Sequence, residues 1–127
     1  MVTVPTSTTV EDQRSTDPKQ RRDRTTRTLL SRRAATTDED LRQSLLDEAI
    51  ELNLSIAHSI ASRFRGRGVE PEDLDQVAYL GLVKAARSYD PGTDTPFLAY
   101  AVPTIRGEVK RYFRDCSWTV RIPRRLQ

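Results

Sequence analysis

The sequence predicts an all-α protein, a compact bundle of three or four helices with a disordered N-terminal leader. Two observations support this fold class. Between Thr37 and Asp115, apolar residues recur at steps of three and four, which is typical of helices that bury one face. No pair of segments shows the alternation of paired strands. Since 127 residues is about the size of one domain, we expect a single core.

Residues 1–37 are predicted to form the leader. They contain ten Thr, eight Lys or Arg and no hydrophobic periodicity, with Leu29 and Leu30 as an isolated apolar pair. This composition is typical of a disordered basic segment. A solvated tail is one interpretation, and an auxiliary DNA-contacting or regulatory arm is the other.

A first helix is expected from Thr37, because threonine is a common N-cap and the acids at 38–40 oppose the positive end of a helix. Its apolar stripe, interrupted by the polar Asn53, should face the core. The stripe consists of Leu45, Leu46, Ala49, Ile50, Asn53, Ala57, Ile60, Ala61 and Phe64. Gly66 and Gly68 should end the segment in the left-handed conformation.

Two further helices are expected over residues 70–88 and 95–115. Pro71 suits the first turn of the earlier one, and residues 90–92 (Asp-Pro-Gly) form a turn between the two. Pro103 removes one backbone hydrogen bond from the later helix and should bend it. Residues 117–123 are too few and too rich in β-branched side chains to predict a helix.

Charge is segregated along the chain. Residues 38–94 carry 6 Lys or Arg against 12 Asp or Glu, whereas residues 95–127 carry 7 against 2. The basic end suits a polyanion such as nucleic acid, and the acidic middle would be repelled by phosphates. We therefore expect two partners on two surfaces.

Several classes of protein are excluded by composition. No apolar run approaches the roughly 18 residues of a membrane span, and the N-terminus lacks a signal peptide, so we expect a cytoplasmic protein without membrane contact. Cys116 is the single cysteine and His58 the single histidine, which excludes an internal disulfide and a Cys/His metal cluster. His58 is expected to be a partly exposed helix residue. No carboxylate is paired with a base or nucleophile at a motif spacing, so we predict no enzyme, catalytic residue or cofactor.

The helix at 70–88 carries more apolar residues than its core face needs. At about 100° per residue, one face suffices for packing. That face contains Leu74, Val77, Ala78, Gly81, Leu82 and Ala85. Tyr79, Leu80 and Val83 project to the other side, which favours a protein partner over complete burial.

The later helix presents an aromatic residue among cations. Its core stripe consists of Leu98, Ala101, Val102, Ile105, Val109, Tyr112 and Phe113. Phe97 and Tyr100 fall away from this stripe, and Tyr100 shares a face with Thr104, Gly107, Arg111 and Arg114. A base can stack on such a ring while cations hold the neighbouring phosphates, which suits single-stranded DNA. An incidental exposed tyrosine on a solvated face is the alternative.

Three stretches resemble region 2 of the sigma-70 family of bacterial transcription initiation factors. They are DLDQVAYLGLVKAARSYDPG (73–92), PFLAYAVPTIRGEVKRYFRD (96–115) and VRIPRRL (120–126). The sequence is most similar to the alternative factors of the general-stress and sporulation group, of actinobacterial type. The resemblance is continuous from about Asp73 to Leu126 and looser back to Leu45.

The resemblance implies a role for each surface. In such factors the helix matching residues 72–88 binds the clamp coiled coil of the largest RNA polymerase subunit. The implied contact positions are Asp73, Gln76, Tyr79, Leu80 and Val83. Region 2 also recognises and melts the promoter minus-ten element by capturing its non-template strand, with an adenine flipped against the aromatic that matches Tyr100. The other implied DNA positions are Phe97, Thr104, Arg106, Gly107, Lys110, Arg111, Arg114, Trp118 and Arg121. An anti-sigma factor is a further implied partner.

The sequence departs from the housekeeping members of this family at two places. Pro103 and Thr104 stand where those members have a tryptophan pair, so weaker melting and stricter promoter choice are expected. Gly107 and Glu108 replace a glutamine-led base-reading surface, so we expect a guanine-rich variant of the minus-ten element.

Residues 38–122 are predicted to form the region 2 domain, and residues 123–127 to begin a truncated following domain. A fragment of a longer factor and a naturally short form both fit, and the missing second promoter anchor favours the fragment. The alternative function is a truncated sigma-like regulator that occupies polymerase or an anti-sigma factor without initiating transcription.

Overall fold

A computed structural model describes residues 17–126, with side chains up to Cys116. Within these residues the chain forms five helices and no strand, which confirms the all-α class but exceeds the expected count of three or four. The helices are α1 (Pro18–Ala35), α2 (Glu39–Leu52), α3 (Leu54–Ser62), α4 (Pro71–Ser88) and α5 (Phe97–Leu126). No helix in this part of the chain is both long and apolar enough to cross a membrane.

Helix α1 corrects the prediction that residues up to 37 form a disordered leader. Asp17 caps it by accepting the Lys19 N–H, and Pro18 occupies the first turn. Thr26, Leu29 and Leu30 are buried, so one short stripe docks the helix on the core. Three buried residues are too few to produce a periodic pattern in an arginine-rich segment, which explains why sequence analysis missed the helix. The rest of the predicted leader, residues 1–16, lies outside the described residues.

Helices α2 and α3 correspond to the first predicted helix, divided at Asn53. The predicted stripe is confirmed, with Phe64 partly buried and the other members buried. The Asn53 side-chain amide donates to the Ala49 carbonyl at 2.7 Å, and also to the Thr26 hydroxyl at 2.8 Å. Because this amide competes with the backbone ladder, the helix breaks there. Asp38 is the N-cap of α2 rather than Thr37, since its carboxylate accepts the Asp40 N–H.

Gly66 and Gly68 follow α3 in the left-handed conformation, with φ of 80° and 87°, as the sequence predicted. Helices α4 and α5 then pack closely at Gly81. A Cβ atom there would lie 2.9 Å from the Ile105 Cα, so a hydrogen in place of a side chain permits this approach.

Helix α5 continues without interruption through Pro103 to Leu126. Residues 117–123, for which no helix was predicted, therefore belong to it. A helix that is already nucleated gains one hydrogen bond per added residue, which offsets the modest cost of β-branched residues.

Candidate nucleic-acid and protein interfaces

The first candidate interface is the α4 surface, formed by Asp73, Gln76, Tyr79, Leu80 and Val83. Tyr79 and Leu80 expose 40% and 55% of their surface, and Asp73 and Gln76 are also exposed. The prediction that apolar residues project from the outer side of this helix is confirmed for this pair. Large apolar side chains presented among polar ones are typical of protein interaction sites.

Val83 differs from its neighbours on the α4 surface. It is partly buried and packs against the core, whereas the sequence pattern placed it on the outer side. With Leu80 it lines a groove of about 380 Å³ between α4 and α5. Val83 is therefore the inner edge of the α4 surface.

A second groove, of about 560 Å³, extends the α4 surface towards α3. Its apolar lining includes Tyr79 and Leu54, which is 42% exposed. His58, with 61% of its side chain exposed as predicted, places Nδ1 3.3 Å from the Asp75 carboxylate at this groove. Leu54 was not predicted as part of this surface, because no local pattern indicated that α3 lies beside the exposed side of α4.

The second candidate interface is the α5 surface, which consists of Tyr100, Thr104, Arg106, Gly107, Lys110, Arg111 and Arg114. Tyr100 is partly buried rather than free-standing, because its ring lies 5.8 Å from the Tyr89 ring, centroid to centroid. Tyr89 meets Phe97 edge to face at 5.3 Å. Tyr89 thus supports one side of the Tyr100 ring, and Phe97 packs against Tyr89. We call these three residues the aromatic cluster.

Phe97 corrects the sequence prediction. It has no exposed surface and belongs to the core, so it packs against Tyr89, the ring that supports Tyr100, and does not line a binding surface. The reason is Tyr89, which follows α4 and folds back so that its hydroxyl donates to the Thr95 carbonyl. Burial also raises the pKa of Tyr89 above its usual value. No local pattern indicated this contact between the end of α4 and the start of α5.

The cations of the α5 surface are divided between its two sides. Arg106 lines a cleft of about 270 Å³ together with Arg22 of α1 and Arg63. Lys110 and Arg114 are exposed. The positive charge beside α5 therefore includes α1, which sequence analysis treated as a disordered leader.

Arg111 lies on the α4 side of the helix. Its guanidinium is 3.5 Å from the Glu108 carboxylate, which also lies 3.1 Å from the Lys84 ammonium of α4. Both cations line the groove between α4 and α5. The structure thus brings Arg111 close to Leu80 and Val83, although the ideal helical angle placed it beside Tyr100.

The remaining predicted DNA positions differ in how they are presented. The Thr104 hydroxyl donates to the Tyr100 carbonyl at 2.9 Å, and Gly107 is exposed with open space where a Cβ would stand. The side chains of Trp118 and Arg121 lie outside the described residues. Among the residues that the structure describes, no group of three or more His, Cys, Asp or Glu could hold a metal ion.

A family model described as Sigma-70 region 2 matches residues 49–119. This range includes α4, the aromatic cluster and all residues of the α5 surface.

Curated relatives agree with this match. The chain is 52% identical over 81 residues to RNA polymerase sigma factor SigF of Mycobacterium tuberculosis (strain ATCC 25618 / H37Rv), covering 64% of this chain and 31% of that protein. It is 41% identical over 85 residues to the RNA polymerase sigma-F factor of Bacillus subtilis (strain 168), covering 67% and 33%. It is 34% identical over 99 residues to the RNA polymerase sigma-B factor of the same strain, covering 78% and 36%. The chain spans about a third of the length of these relatives. No solved structure matches it.

Proposed function

We infer that this chain, which belongs to the sigma-70 family through its region 2, is a transcription initiation factor domain that binds RNA polymerase and captures promoter DNA. The α4 surface binds the clamp coiled coil of the largest polymerase subunit. The α5 surface holds the non-template strand of the minus-ten element after the duplex melts. The domain acts by binding in the cytoplasm and catalyses no reaction itself.

The observation that carries this proposal is the supported ring of Tyr100. One side of the ring rests on Tyr89, so the ring is held before DNA arrives. Stacking a base on a ring already held in place avoids the entropic cost of ordering that side chain. Arg106 and Lys110 lie on the same helix, about two and three turns after Tyr100, and supply charge for the phosphates.

The α4 surface supports the second partner. Leu80 and Tyr79 are the most exposed large apolar residues of α4, and acidic Asp73 stands near them in the sequence. Acidic groups repel phosphates, which favours a protein partner at this surface. Two chemically different surfaces on two helices fit a domain that bridges polymerase and DNA.

The similarity to SigF, sigma-F and sigma-B factors supports membership of the stress and sporulation group. We therefore propose an anti-sigma factor as a regulatory partner. We also propose a minus-ten element that is richer in guanine than the housekeeping sequence, because Gly107 and Glu108 stand where housekeeping members have a glutamine-led base-reading surface.

Two tyrosines provide a matched test, because each is partly exposed on a different surface. Tyr100→Ala should weaken binding to a single-stranded minus-ten oligonucleotide by roughly five- to a hundred-fold, the loss of one base stack of about 1–3 kcal/mol. It should leave binding to the isolated clamp unchanged. Tyr79→Ala should show the opposite pattern. Fluorescence anisotropy measures the first interaction, and pull-down with the clamp measures the second.

The oligonucleotide should also be varied base by base, which identifies the captured adenine and the unknown consensus. Equal loss of both interactions in either variant would indicate misfolding, which circular dichroism can check. If the native chain binds the clamp but discriminates no base in the strand, the promoter-recognition proposal is wrong, and the sigma-like regulator becomes the better interpretation.

A further inference from the structure

The start of α5 is capped by a side chain from a different helix. The Phe97 N–H donates to one carboxylate oxygen of Asp23 at 3.2 Å, and the Leu98 N–H donates to the other at 2.8 Å. Asp23 lies in α1, more than 70 residues earlier in the sequence. The residue directly before α5 is Pro96, whose side chain has no acceptor. Asp23 therefore performs, from α1, the role that an N-cap residue usually performs within its own helix.

Helix α1 is held in the position that this cap requires. The Arg27 guanidinium donates to the Thr93 carbonyl at 2.9 Å, in the loop that leads into α5. The buried hydrogen bond between Asn53 and Thr26 joins α1 to the centre of the bundle at 2.8 Å. Leu29 and Leu30 are buried in the core. On the other side of Asp23, the Arg22 guanidinium donates to the Ser55 hydroxyl of α3 at 3.2 Å, so Asp23 has contacts of α1 both before and after it along the chain.

The capped turn is the turn that carries Tyr100. Tyr100 follows Phe97 by three residues, and its N–H bonds to the Pro96 carbonyl at 3.4 Å. Uncapped first turns fray, because their N–H groups have no partner within the helix. Fraying here would move Tyr100 away from Tyr89, whose ring supports it. A carboxylate at this end also opposes the positive pole of the helix, which adds to the effect of the hydrogen bonds.

From this juxtaposition we infer that Asp23 is a positioning residue for strand capture, acting through the first turn of α5 on the Tyr100 ring. The inference rests on the proposed function of Tyr100 and extends it to a segment that precedes the matched region 2. Asp23 touches no DNA in this role. Its carboxylate is already engaged by two backbone N–H groups, and a negative charge would repel a phosphate.

The test uses the full chain with three variants: Asp23→Ala, Asp23→Asn and Asp38→Ala. Asp23→Ala removes the cap of α5. Asp23→Asn removes the charge and one of the two acceptors, because only the amide oxygen of asparagine can accept an N–H. It therefore keeps one of the two capping hydrogen bonds. Asp38→Ala is the matched control, because Asp38 also accepts two backbone N–H groups, from Asp40 and Leu41, but at the start of α2. Helix α2 carries none of the proposed strand-binding residues.

The measurement is the ratio of affinities for two single-stranded minus-ten oligonucleotides, one intact and one with an abasic site in place of the captured adenine. The ratio cancels the general change in DNA affinity that follows from removing a negative charge. Asp23→Ala should lower this discrimination by up to about five-fold. That is the change in the equilibrium between ordered and frayed first turns that the loss of an N-cap usually causes. Asp23→Asn, which keeps one capping hydrogen bond, should lose less discrimination than Asp23→Ala. Asp38→Ala should retain all of it despite a similar loss of thermal stability.

Equal discrimination by Asp23→Ala and Asp38→Ala would overturn the inference, because the Asp23 cap would then contribute only to stability. If the native chain itself does not distinguish the two oligonucleotides, the proposed strand capture fails instead. The two failures are therefore distinguishable in one experiment.

Discussion

Tyr79 and Leu80 on the α4 surface leave 40% and 55% of their area exposed and stand outside the core cluster. Tyr100 on the α5 surface rests on Tyr89, which in turn contacts the fully buried Phe97. Tyr79 and Leu80 can therefore change without affecting the core, whereas the support of the Tyr100 ring depends on it. A partner surface that only has to be displayed needs little support, but a ring that must receive a flipped base benefits from being held in place.

The largest effect on stability is expected for Phe97→Ala, because Phe97 is completely buried. Removing a buried phenyl ring usually costs about 3–5 kcal/mol of unfolding free energy. Strand binding should fall with stability, since Tyr89, which supports the Tyr100 ring, loses its inner neighbour. Urea denaturation measures the first effect, and anisotropy under native conditions the second. Phe97→Leu is the milder control and should lose less of both. Destabilisation below about 1 kcal/mol by Phe97→Ala would contradict the dependence of the α5 surface on the core.

These two surfaces also show how far the sequence could predict the site. The exposure of Tyr79 and Leu80 was predictable, because one face of α4 already supplies enough apolar residues for packing and helical geometry places the others outside. Burial of Phe97 was not, because its partner Tyr89 comes from the preceding loop and helical periodicity contains no information on that contact. The angular position of a residue on an isolated helix shows which face it belongs to. It does not show which other element of the fold packs against that face.

Helix α1 illustrates the same limit for the fold. Its contacts with the rest of the bundle include Asp23 with the α5 terminus and Arg27 with the Thr93 carbonyl. Both are polar contacts across more than 60 residues of sequence. Arginine and aspartate in a threonine-rich segment have the composition of a disordered tail. Polar contacts of this kind therefore produce no recognisable periodicity in the sequence. In contrast, the stripe on α2 and α3 depends mainly on apolar spacing. Its members were predicted, although the break at Asn53 was not.

The next effect compares two glycines, one on each helix of the α4 and α5 pair. Gly81→Ala would place a Cβ 2.9 Å from the Ile105 backbone and should destabilise the fold by about 1–2 kcal/mol, since overpacking outweighs the better helix propensity of alanine. Gly107→Ala meets no atom within 4 Å and should stabilise it by about 0.5–1 kcal/mol. Thermal denaturation compares the two variants. Stabilisation by both variants would show that the two helices do not approach as closely as the structure indicates.

The smallest effect on stability, and the sharpest test of the comparison, is expected for Leu80→Ala on the α4 surface. Leu80 is 55% exposed, so its truncation should change the unfolding free energy by less than about 0.5 kcal/mol. Clamp binding should nevertheless weaken by about five-fold, since Leu80 is the most exposed large apolar side chain of α4 and a residue that anchors an interface contributes on the order of 1 kcal/mol or more. Leu41→Ala, at an exposed leucine of α2, is the control and should alter neither quantity. Because Leu80 and Phe97 are both apolar, comparing the two truncations distinguishes a side chain that contacts a partner from one that stabilises the core. If Leu80→Ala lost stability as Phe97→Ala does, the α4 surface would be part of the core and not a free partner surface.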